Sequence, residues 1–95
     1  MPLAITEVLR RTEQGVTRPF ICRSEDGRLY VVKGKVGCGL EALRAEWVAG
    51  RCAQILGLPI PPFAIVTVPE ELVNGSAMAG IGELGVGQGF GSLFQ

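Results

Sequence analysis

The segment Gly57-Leu58-Pro59-Ile60-Pro61-Pro62 is the feature that most constrains the fold. Proline fixes φ, lacks a backbone donor and keeps its predecessor extended, so no helix or central strand runs through this segment. It must separate two elements. Before it, residues 40–56 are free of proline and predict one helix, with Glu41 in the first turn favouring the helix dipole. Gly57 can take the left-handed cap, Leu58 can fold back on the last turn, and Pro59 blocks continuation. After it, residues 63–68 (Phe-Ala-Ile-Val-Thr-Val) form the most hydrophobic strand, predicted to be central and ended by Pro69.

Upstream, residues 4–11 mix β-branched and charged side chains near period two and predict a strand. Residues 12–17 are a polar connection and residues 19–23 a second strand. Asp26-Gly27 suits the positive φ angles of a hairpin turn, which leads into a third strand over residues 29–33. These three strands predict an antiparallel meander. The expected fold is α+β: an antiparallel sheet of four to five strands with one packed helix. Residues 1–72 form that unit. Residues 73–95 read as a glycine-rich loop of an incomplete domain, because six of the 14 glycines fall between Gly80 and Gly91. Glycine loses the most backbone entropy on ordering, so such a stretch needs its surroundings.

On the helix, Ala45, Val48, Ala49, Cys52 and Leu56 fall on one stripe, expected to pack on the sheet. Leu43 and Trp47 lie nearly opposite. Two readings stand for them: scattered surface residues, or a contact with a second lobe or a partner protein.

The chain has 95 residues, zero formal net charge, 47% hydrophobic and 19% charged residues. That is apolar for a small soluble domain and fits either a membrane protein or a piece whose remainder covers its apolar surface. No run of apolar residues approaches the ~18 needed to span a bilayer, which favours the second explanation. A membrane peptide over residues 72–94 would rest on low charge alone, against many glycines and Glu83. Residues 1–11 lack the apolar core of a leader, and Cys22, Cys38 and Cys52 form no CxxC. The expectation is a cytoplasmic chain with reduced thiols. No basic stripe marks a nucleic-acid binder, and the absence of histidine removes Ser-His-Asp and Cys-His catalysis.

Lys33 closes the third strand. By alternation it shares a face with Leu29 and Val31, so it stands either at a sheet rim or in a cleft. Glu46 sits on the helix at the border of the expected stripe. A strand lysine fixed by a helix glutamate is an arrangement that holds nucleotide phosphates; the bland alternative is a solvent-exposed pair of little energetic value. Gly80-Ile-Gly-Glu-Leu-Gly85 matches G-x-G-x-x-G literally, but lacks the strand-turn-helix setting a dinucleotide site needs.

The order Arg18 to Lys33 with its Asp-Gly and Tyr-Val-Val-Lys, then Ala45 to Pro62 with Glu46 and Leu-Gly-Leu-Pro-Ile-Pro-Pro, then Ala64 to Val68, resembles the HipA-like kinase family of bacteria. The set is specific where no single piece is, and it covers residues 4–68. Gly89-Phe-Gly-Ser92 resembles the family's approach to its hinge. The resemblance implies the ATP-binding N-lobe of a kinase that transfers phosphate to a protein or other hydroxyl acceptor. Lys33 would contact the ATP phosphates, Glu46 would orient it, Val31 would lie over the adenine, and Gly15 would belong to the phosphate-covering loop.

Phosphoryl transfer of this kind needs an aspartate at the substrate hydroxyl and oxygen ligands for magnesium. Asp26 is the only aspartate, in a turn, and no glutamate lies in a catalytic-loop motif. Catalytic residues and magnesium ligands are therefore expected from a missing C-lobe, with the chain alone inactive. A second function class stands beside this one: a non-enzymatic interaction module with the same fold, contacting a partner through Leu43 and Trp47.

Overall fold

The computed structural model describes residues 2–12, 18–34, 39–76, 78 and 80–94. Strands β2 (Phe20–Ser24) and β3 (Leu29–Gly34) form the hairpin that Asp26-Gly27 predicts, with Gly27 at φ 81°. Asp26 organises the turn. Its carboxylate accepts hydrogen bonds from the Ser24 hydroxyl, from the Arg28 N–H at 2.9 Å and from the Tyr30 hydroxyl at 3.0 Å. These donors, Ser24 first, hold its carboxyl below the usual carboxylate range.

Strand β1 (Leu3–Arg11) pairs antiparallel with β2, but its register shifts between Ile5 and Glu7 and again between Val8 and Arg10. Such irregularities bend a strand and increase its twist. The bent start of β1 reaches β4 (Phe63–Val68) and pairs with it in parallel, Leu3 with Val66 and Ala4 with Thr67. Strand β5 (Gly87–Leu93) runs antiparallel between β3 and β4. The result is a closed barrel in the order β1-β2-β3-β5-β4. This corrects the open antiparallel sheet expected from the sequence: the α+β class and the fifth strand stand, but the two edges meet.

The barrel interior holds Ile5, Cys22, Val32, Val66 and Val68, each no more than 1% exposed. Fully burying one aliphatic side chain stabilises by ~1.5–3 kcal/mol. Burial also pushes the Cys22 thiol up to about 12, which keeps it protonated and unreactive. Beyond β4, Pro69 leads into the short helix α2 (Glu70–Asn74), and a single 3-10 turn (Ile81–Glu83) precedes β5. Ile81 and Leu84 join the buried core of the barrel. This is the region predicted as a loop. Its glycines are instead a packing device: a Cβ on Gly89 would stand 2.8 Å from the Lys33 carbonyl oxygen, and one on Gly91 would stand 2.8 Å from Val66 Cγ1.

Helix α1 (Leu40–Ile55) ends as predicted. Gly57 takes φ 73°, its N–H reaches the Gln54 carbonyl at 3.1 Å, and the Leu58 N–H reaches the Ala53 carbonyl at 2.9 Å. The helix faces are reversed, however. Leu43 is its one buried residue, whereas Val48 is 58% and Leu56 73% exposed, and Ala45, Ala49 and Cys52 are also exposed. The sheet's outer surface explains the reversal. It presents the rings of Phe63 and Phe90, which need a large partner in Trp47 and a gap at Gly50 rather than a stripe of small side chains. Among the described residues, no helix is long and apolar enough to cross a membrane.

Candidate functional site

Alternation along β3 sends Tyr30 and Val32 into the barrel and leaves Val31 and Lys33 on its outer surface. Pairing then sets their neighbours. Lys33 stands opposite Phe90 and Val31 opposite Ser92 on β5, while Ile65 and Phe63 of β4 face the same two residues. Helix α1 lies against this surface. Phe63 sits at the centre of the contact: its ring stacks on Phe90 at 5.4 Å and meets Trp47 edge-on at 5.2 Å. A Cβ on Gly50 would come within 2.7 Å of the Phe63 ring, so the helix approaches as closely as a glycine permits.

That approach brings Glu46 to Lys33. The Lys33 Nζ donates to Glu46 Oε1 at 2.5 Å, with the side chains 27% and 40% exposed. An ammonium has three donors. One goes to the carboxylate, leaving the head fixed and still able to meet an anion. The pair lines a cleft of about 370 Å³ together with Val31, Pro61, Ser92 and Phe94. The cleft therefore has an ion pair at one corner and an apolar wall. Sequence reasoning named Lys33, Glu46 and Val31, and the structure brings the three together. Gly15 lies outside the described residues, as does Cys38.

Pro61, Phe90, Ser92 and Phe94 were not foreseen as cleft residues. For Phe90 and Ser92 the signal lay in the alternation Gly87-Gln88-Gly89-Phe90-Gly91-Ser92, which places every side chain on one face of a strand.

The Gly80 to Gly85 segment has no part in the cleft. Gly80 adopts a left-handed conformation, and the residues after it form the 3-10 turn. Arg11 grips this turn through a two-pronged pair with Glu83 at 3.0 and 2.9 Å. The guanidinium holds the Glu83 carboxyl below the usual range, and also lies 4.8 Å over the Phe20 ring. Its Nε donates to the Arg18 carbonyl at 2.8 Å. Arg11 thus ties the ends of β1 and β2 to the approach of β5.

A small closed barrel with one main helix against it, and a lysine–glutamate pair at a cleft between the two, makes this an α+β domain. The sequence pattern of the HipA-like kinase family matches residues 5–95, and the chain belongs to that family. Neither the curated proteins nor the solved structures compared with the chain gave a match.

Proposed function

We propose that this chain is the nucleotide-holding N-lobe of an ATP-dependent phosphotransferase. The observation that carries the proposal is the 2.5 Å contact between Lys33 Nζ and Glu46 Oε1 at the mouth of a partly apolar cleft. A lone lysine is flexible and strongly hydrated; the carboxylate fixes its head, and the remaining donors suit phosphate oxygens. Val31 and Phe94 offer apolar surface for a purine ring. ATP would supply the transferable phosphoryl group, and magnesium would neutralise charge on the phosphates. Asp26 is spent on its turn, and the chain has no second aspartate. The hydroxyl-activating residue and the magnesium ligands therefore belong to a C-lobe, and the chain alone is inactive. The acceptor would be a protein or another hydroxyl compound. Family membership and the free thiols of Cys22 and Cys52 fit a cytoplasmic bacterial enzyme.

The test is a titration of ATP–magnesium into the chain, repeated with a matching C-terminal lobe present. Weak binding and no turnover by the chain, with both gained on adding the lobe, is the expected result. Turnover by the chain alone would remove the inference from its acidic residues, and no gain from the lobe would remove the N-lobe role. The competing interaction module predicts that Lys33→Met leaves partner binding intact and that ATP binds with or without the lysine equally poorly.

A further inference from the structure

A second concavity lies on the other side of the Trp47–Phe63 contact. It has a volume of about 640 Å³ and runs between the first half of α1 and strands β4 and β5. That size is in the range of sites that seat large side chains or small ligands, which run to ~300–1,000 Å³. Leu40, Leu43, Trp47, Val48, Ile65 and Phe90 make most of its wall. Leu40 is 53% and Val48 58% exposed, so the groove presents large apolar side chains to solvent. Surface apolar residues gathered in one concave patch, rather than scattered singly, mark a binding face.

Charge narrows the occupant. Two polar side chains line the groove, Arg44 and Gln88, and no carboxylate does. Arg44 is exposed and enters no ion pair among the described residues. Neither acidic residue of α1, Glu41 or Glu46, is part of the wall. A segment lying here meets apolar surface and a single positive charge. The geometry points to a docking groove for a peptide segment that carries apolar anchors flanked by carboxylates, supplied by a partner protein. This inference does not depend on nucleotide binding at Lys33.

Trp47 is the only tryptophan, so its fluorescence reads the groove directly. The probe is a synthetic decapeptide with two phenylalanines three positions apart followed by two aspartates, compared with the same peptide carrying lysines for aspartates. The acidic peptide should shift Trp47 emission and bind at least ~tenfold more tightly than the basic one. Arg44→Glu should reverse that preference, and Val48→Asp should weaken both peptides by ~tenfold or more. Both substituted residues are exposed, so the fold tolerates the changes. Several results overturn the inference: no emission shift with either peptide, equal affinity for both, or binding indifferent to Arg44→Glu. A shift that instead follows protein concentration would assign the groove to a second copy of the chain. One that follows zwitterionic lipid vesicles would assign it to a membrane. Either outcome rules out the acidic segment.

Discussion

The barrel and the helix are stabilised in opposite ways. Every strand of the barrel has two paired neighbours, and its interior side chains are sealed from water. Helix α1 buries one residue, Leu43, and holds the barrel through Phe63, Trp47 and the gap at Gly50. Lys33 belongs to the first region and Glu46 to the second. The ammonium is thus mounted on a closed, many-contact frame, whereas the carboxylate that orients it rides on an element attached along one narrow face. A site built this way has a rigid half and an adjustable half.

Substitutions in the two regions test this difference. The largest effect is expected in the barrel core, where Leu84 is 1% exposed. Leu84→Ala should lower stability by ~3 kcal/mol in urea unfolding, the usual range for a buried leucine being ~2–5. At the joint between the two regions, Gly50→Ala should cost ~1–2 kcal/mol by overpacking the Phe63 ring, and should alter Trp47 emission as the helix shifts. On the outer helix face, Ile55 is 82% exposed, and Ile55→Ser should stay within ~0.5 kcal/mol of the parent. A loss there comparable to that of Leu84→Ala would mean the helix is packed on both sides, and the contrast would fail.

A smaller effect, visible only against pH, concerns the hairpin. The folded value of Asp26 lies below its unfolded one. Its contribution is therefore complete above the unfolded value, about pH 4, and is lost as pH falls through the folded value. Asp26→Asn should flatten the acid limb of the stability profile while leaving it unchanged in shape near neutrality. An unaltered acid limb would show that the bonds from Ser24, Arg28 and Tyr30 do not hold the carboxylate.

The same contrast explains what the sequence made legible. Local chemistry was readable. Asp26-Gly27 marked a turn, Gly57-Leu58-Pro59 marked a helix end, and Lys33 shared a face with Val31. Relations between distant segments were not. Closure of the barrel depends on two register shifts in β1, which no propensity encodes. Strand β5 was hidden because glycine is depleted from strands, yet Gly89 and Gly91 are needed where neighbouring atoms leave no room for a Cβ. The helix was turned over because it carries apolar residues on both sides. Periodicity could not choose between the stripe at Val48 and the one at Leu43; the Phe63 and Phe90 rings did.

The role proposed for Lys33, fixed by Glu46, is to hold phosphate. The decisive experiment compares ATP with adenosine binding, by calorimetry, to the chain assembled with the proposed C-lobe, before and after Lys33→Met. ATP affinity should fall by ~tenfold or more while adenosine affinity is unchanged, because only ATP presents phosphates to the ammonium. Equal losses for both ligands, or no loss for ATP, would contradict it.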